Sequence, residues 1–180
     1  MESLKGQLLL AGAGLFDPNF RRTVVLIGDH GEEGALGVVL NRPSAVKVED
    51  VVAPLAPLVA DGELLFVGGP VQPQSPVILA ELAHPELADV LVFGSIGFLT
   101  GEVKEKPLDA VRRARVFAGY AGWGPGQLEQ EMEESSWIVE PALPEDVFTD
   151  QPDGLWSSIL RRKGGPFDLL ATMPVDPSTN

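Results

Sequence analysis

The stretch Thr23–Pro43, TVVLIGDHGEEGALGVVLNRP, decides the architecture. Thr23 to Ile27 is β-branched and apolar throughout, which reads as a strand buried on both faces. Asp29 to Gly34 is polar and glycine-bounded, and Leu36 to Leu40 is apolar again. Two apolar runs around such a link predict a β-hairpin. Asn41-Arg42-Pro43 is expected to end the second strand, because proline has no N–H to continue the ladder.

Outward from this hairpin the chain keeps the same character. Upstream, Gln7 to Ala11 reads as a short core strand, and Asp17-Pro18-Asn19-Phe20 as a turn. Lys5, Leu8 to Leu10 and Ala11-Gly12-Ala13 imitate a signal peptide, but Glu2 and the glycine breaks favour the core strand. Downstream, Val48 to Val59 has near-helical apolar spacing interrupted by Pro54 and Pro57, so two short helical turns are expected. Strands are predicted at Leu64–Val67, Val77–Leu82, Val90–Phe93 and Ile96–Leu99, with turns at Gly68-Gly69-Pro70 and His84–Leu87. Pro107 to Arg112 reads as the start of a helix, followed by a strand over Arg115–Tyr120. Helices over Gln127–Glu134 and Leu155–Arg162, a strand over Trp137–Val139 and a helical turn over Pro144–Phe148 complete the reading. Many strands, few helices and no regular βαβ alternation predict an α+β fold with a mixed or antiparallel sheet flanked by short helices.

With 180 residues and a hydrophobic fraction of 44%, the chain suffices for one compact domain. That domain is assigned to residues 1–174, with 175–180 as a flexible tail. The formal net charge is −13, which repels polyanions and argues against direct nucleic-acid binding. The acid is uneven: Val116 to Leu160 contains no lysine or arginine, which predicts an anionic face. There is no cysteine, so disulfides, thiolate nucleophiles and Cys-type metal sites are excluded, in keeping with a cytoplasmic protein. No apolar run is long enough to cross a bilayer.

Motifs for chemistry are sparse. There is no phosphate-binding loop, and Gly94-Ser95-Ile96-Gly97 falls short of a nucleophile elbow. The two histidines, His30 and His84, both fall in predicted turns, where a solvated imidazole is the commoner case. Asp29, His30, Glu32 and Glu33 read as a charged hairpin loop rather than a metal site. No cofactor or metal is expected. Arg21-Arg22 could form an anion clamp with Arg42 if the hairpin brings them together. Lys104, Lys106, Arg112, Arg113 and Arg115 form the densest basic cluster, read as a solvated helix face.

The best candidate site is Gly119–Glu133, GYAGWGPGQLEQEME. It reads as a strand passing through a glycine-rich turn into a helix, with Trp123 beside the turn. Such a corner presents N–H groups to an anion, with Trp123 as a stacking wall. The alternative is a tight corner in which Trp123 packs as an anchor. Gly68-Gly69-Pro70 is a weaker case of the same kind.

Taken together, Phe20–Val25, Gly34–Pro43, Phe66–Val71, Gly119–Trp123, Gly126–Glu131 and Trp137 resemble the YqgE/AlgH family of bacterial proteins in order and spacing. The resemblance implies a compact α+β domain whose mixed sheet partly curls towards a barrel, and a role in transcriptional regulation. It carries over no catalytic residue. One departure is Gly124-Pro125, where the family more often has charged or polar residues. The expected function is a non-enzymatic regulator or adaptor acting through a protein or small-molecule partner. The alternatives are a direct DNA-binding regulator and an enzyme with a site at the glycine-rich corner. The expected binding residues are Arg21, Arg22, Asn41, Arg42, Gly68, Gly69, Gly122, Trp123, Gln127 and Glu131. The Trp123 corner and the Gly68-Gly69-Pro70 turn are expected to share one recognition surface.

Overall fold

A single ten-stranded mixed sheet organises the molecule. The structure is a computed structural model, and it describes residues 2–12, 22–100 and 108–172. The strands are β1 (Gln7–Ala11), β2 (Val24–Gly31), β3 (Gly34–Val39), β4 (Pro43–Lys47) and β5 (Leu64–Val67). They continue with β6 (Val71–Leu82), β7 (Val90–Phe93), β8 (Ile96–Leu99), β9 (Val111–Trp123) and β10 (Trp137–Pro141). The helices are short: α1 (Val48–Val51), α2 (Gln127–Glu133), α3 (Pro144–Val147), α4 (Leu155–Lys163) and α5 (Phe167–Ala171).

The main path through the sheet runs β10-β1-β2-β3-β9-β6-β8-β7, with β4 and β5 as a branch. All neighbours are antiparallel except β5, which runs parallel to β9. The thirteen-residue β9 is the spine. One edge pairs with β6 along most of its length, while Phe117 and Ala118 on the other pair with β5. Beyond them, Ala121 to Trp123 pair with β3.

The sheet curls without closing. A β-bulge at Gly28 adds a residue between the pairs Ile27–Gly37 and Asp29–Leu36, which bends β2. The ring of Phe98 from β8 lies where a Cβ at position 28 would stand. The missing side chain at Gly28 leaves room for that ring against β2. The interior of the curl is filled by Leu8, Leu10, Leu26, Val38, Leu79 and Phe117, and by Trp156, Ile159 and Leu160 from α4. On the outer face, Leu128 of α2 joins Leu9, Val25, Ile27 and Val39. Further along that face, α1 and the proline-rich turn Ala53–Leu58 cover Ile78, Ala80, Ala114 and Val116. Val24–Ile27 of β2 are therefore buried on both faces, as their unbroken apolar run requires, whereas β3 leaves Leu36 exposed.

Several boundaries differ from the sequence reading. The hairpin turn is only Glu32–Glu33, so Asp29 and His30 belong to β2 rather than to a loop. Pro43 ends nothing: it opens the branch strand β4, opposite Phe66, at a position that needs no ladder donor. β6 starts at Val71, earlier than predicted, because its first residues form an irregular pairing with β9 that tolerates Pro73 and Pro76. The helix predicted over Pro107–Arg112 is, within the described residues, one turn at Leu108–Ala110 followed by β9. There the alternation of Arg113 and Arg115 with buried Ala114 and Val116 wins over local helix propensity. The Asp17–Phe20 turn, Lys104, Lys106, Arg21 and the tail 175–180 lie outside the described residues.

Candidate functional site

Of the ten expected binding residues, Arg21 lies outside the described residues, and the other nine divide between the two ends of β3. Trp123 of β9 lies opposite Ala35 near the start of β3. Near its end, Val39 donates its N–H to the Gly68 carbonyl. At about 3.3 Å per residue, these points are about 13 Å apart. The Trp123 corner and the Gly68-Gly69-Pro70 turn therefore meet β3 at different points, while on β9 Gly69 packs against Tyr120 and Ala121, two to three residues before Trp123.

At the Val39 end the polar groups hold backbone. The Asn41 side chain accepts from the Val24 N–H at 3.0 Å and donates to the Arg22 carbonyl at 3.0 Å, so it pins the entry to β2. Arg22 sits at φ 51°, and its guanidinium lies 4.5 Å from the centre of the Trp156 ring. The Arg42 carbonyl accepts from Val67. Gly68 donates to Ala118 while its carbonyl takes the Val39 bond. Gly68 and Gly69 press against the backbone of β9 at Gly119 to Ala121, and any Cβ on either would collide with it. Their glycines thus answer to a close approach of two main chains.

At the other end, Gly119 to Trp123 are strand residues, so the predicted glycine-rich turn shrinks to Gly124-Pro125-Gly126. Gly126 adopts φ 76° and precedes α2. The Trp123 indole is only 6% exposed. It packs edge-to-face on Trp137 with ring centres 6.1 Å apart. Glu131 gathers the corner. Its Oε1 accepts from Trp123 Nε1 at 3.0 Å and from Trp137 Nε1 at 2.8 Å. Its Oε2 accepts from Gln127 Nε2 at 2.9 Å, and Gln127 Oε1 in turn accepts from the Gly124 N–H at 3.0 Å. Among the backbone donors expected to receive an anion, the Gly124 N–H is already taken by the Gln127 side chain. Trp123 takes the packing role rather than that of a stacking wall.

A contact that sequence reasoning missed joins positions 99 apart: His30 Nε2 meets Glu129 Oε1 of α2. The His30 side chain is 3% exposed, against its expected place in a solvated turn. Nδ1 accepts from the Leu4 N–H at 2.9 Å, which places the imidazole proton on Nε2, facing Glu129. The hydrogen bond from His30, then the bond from its own backbone N–H, hold the Glu129 carboxyl below the usual carboxylate range. Ser3, Gly31, Glu32 and Gly126 line the opening beside this pair. Ser3 Oγ bonds the His30 carbonyl, not its ring, so no Ser-His-carboxylate relay forms. No local signal marks this pair, because its members meet only after β2 and α2 have packed.

Of the basic cluster, Arg113 and Arg115 are ion-paired residues of β9 rather than members of a solvated helix face. Arg113 forks onto Glu81 at 3.2 and 3.1 Å and lies over Phe148. Arg115 is buried, donates to Glu63 and to the Val147 and Thr149 carbonyls, and lies over Phe66. Arg162 forks onto buried Asp146 at 2.9 and 3.0 Å, and that carboxylate raises the guanidinium pKa. No group of three or more histidine and carboxylate side chains among the described residues is placed to hold a metal. No helix among them is long and apolar enough to cross a membrane.

Residues 8–168 match a family model described as AlgH-like. A UPF0301 protein of Streptomyces coelicolor is 46% identical over 187 residues, covering 100% of this chain and 97% of the relative. One from Mycolicibacterium smegmatis is 42% identical, covering 97% and 90%. Among solved structures, the crystal structure of a protein from Corynebacterium diphtheriae superposes with a TM-score of 0.86 at 32% identity, over 96% of this chain and 93% of that one. The solution structure of the AlgH protein from Pseudomonas aeruginosa gives 0.72 at 29%, over 96% and 95%. The likeness spans the whole sheet and its helices. This chain belongs to the AlgH-like family.

Proposed function

We propose that this protein is a cytoplasmic regulator or adaptor that acts by binding a protein or small-molecule partner rather than by catalysis. The observation that carries this reading is the His30–Glu129 pair. Both imidazole nitrogens are engaged, one by the Leu4 N–H and one by Glu129, so neither is free to take a proton from a substrate. The other histidine, His84, is an exposed surface residue facing Glu86. The carboxylate at the glycine-rich corner, Glu131, is likewise engaged by three side-chain donors. A role in transcription would then run through a partner. Arg113, Arg115 and Arg162 are each paired with carboxylates, and the chain carries a net charge of −13.

Native mass spectrometry of the protein, isolated gently from a bacterial host at near-physiological salt, tests this reading. A stoichiometric protein or small-molecule adduct is expected. Co-isolated nucleic acid, with affinity that falls steeply as salt rises, points instead to direct DNA regulation. A turnover abolished by Glu129→Gln or Glu131→Gln in a folded chain points to an enzyme. Either of these two results overturns the proposal.

A further inference from the structure

Because the sheet curls without closing, its apolar interior reaches solvent. A pocket of about 330 Å³ opens there, walled by Leu36 and Val38 of β3, Val77 of β6, Val90 of β7, Phe98 of β8 and Tyr120 of β9. The two apolar side chains at its mouth are large and open to solvent: Leu36 is 49% exposed and Val90 40%. Gly122 lies opposite Leu36 in the ladder. A Cβ there would meet Leu36 and Tyr120 only at 3.9 Å, in ordinary contact. The glycine is therefore not demanded by backbone crowding, and a larger side chain there would stand beside Leu36 and Tyr120 of the lining.

The chemistry of the lining selects the ligand. None of its residues carries a charge. Its side-chain polar groups are the hydroxyls of Tyr120 and Thr100, and neither is hydrogen-bonded to another described residue. Apolar walls with one or two polar groups, in a volume at the lower end of the ~300–1,000 Å³ usual for ligand sites, suit a small molecule. An anion entering here would lose its hydration without gaining a cationic partner, in a chain whose net charge is −13. We propose that this pocket binds a neutral, mainly apolar small molecule, of the size of a medium-chain alcohol or a two-ring aromatic. One hydroxyl or carbonyl of that ligand bonds Tyr120 or Thr100. The proposal rests on the binding reading above and names the ligand class.

The test uses the full chain and N-phenyl-1-naphthylamine, a neutral fluorescent probe. Saturable enhancement at one site per chain is expected. Decanol should displace the probe at a concentration at least tenfold below that needed for decanoate. Val77→Phe fills the pocket from its wall and should weaken probe binding at least tenfold. Gly122→Val narrows the mouth and does the same, should Val77→Phe fail to fold. Leu169→Ser removes an apolar side chain 74% exposed on α5, outside the lining, and should change nothing. The proposal is overturned by absence of saturable binding, by unchanged affinity in a folded pocket variant, or by decanoate competing as well as decanol. The broader reading is judged separately by the mass spectrum. A chain that carries a partner yet takes up no probe sinks the pocket and leaves that reading standing.

Discussion

Glu131 shows how one side chain turns a suggestive motif into a joint. Its carboxylate is the shared acceptor of two indole N–H groups and the Gln127 amide, and it ties the start of β10 to the end of β9 through α2. Hydrogen bonds to a charged group each contribute about 1.5–3 kcal/mol. Glu131→Ala should therefore lower stability by about 2–4 kcal/mol in urea denaturation and shift the tryptophan emission. Glu131→Gln retains an acceptor oxygen and should lose less. Trp123→Ala should cost about 3–5 kcal/mol, since it empties a buried site. A melting temperature unchanged in Trp123→Ala would return Trp123 to the role of an exposed recognition residue.

Between elements, the contact of β2 with α2 is held by an ionisable pair, and its strength depends on pH. The folded pKa of Glu129 lies below its unfolded value, because the His30 hydrogen bond favours the charged carboxylate. Its contribution is thus complete above the unfolded pKa of about 4.3 and is lost as pH falls through the lower folded value. The stability gap between the native chain and Glu129→Gln should be steady from pH 7 to 5 and shrink below pH 4. Urea midpoints across that range measure it. A gap that widens in acid would contradict the assigned direction. At the same level, β9 shows how one strand serves three neighbours: β6 takes one edge, while β5 and β3 divide the other.

For the whole molecule, one close contact inside the curl depends on a missing Cβ. Gly28 leaves room for the Phe98 ring, which also walls the apolar pocket. Gly28→Ala forces either the ring or the strand to move, an overpacking cost of about 1–3 kcal/mol. The expected result is a melting temperature lower by several degrees. Adding Phe98→Leu, which shortens the intruding side chain, should recover part of the loss. Strictly additive losses in the double variant would show that the two positions are uncoupled.

The sequence by itself determined the periodic and punctuated parts of this protein. Thr23–Ile27 read as a strand covered on both sides and Leu36–Leu40 as its hairpin partner, and Pro54 and Pro57 had to break any helix over Val48–Val59. Gly164 ended α4 where expected. These features are local, written in side-chain period and in backbone restrictions that act within a few residues. α5 escaped the reading, because Phe167–Ala171 is a five-residue turn with too short a pattern to register. The tertiary structure alone decided what the polar residues do. His30 is a loop residue by its neighbours in the chain, and becomes a buried partner of Glu129 only when α2 docks on the outer face. Asn41 and Glu131 carry no mark that distinguishes a ligand-binding group from a backbone pin or an indole acceptor. The pocket is the clearest case. Leu36, Val77, Phe98 and Tyr120 are ordinary strand residues, and their common cavity exists because the curled sheet brings β3, β6, β8 and β9 around one space.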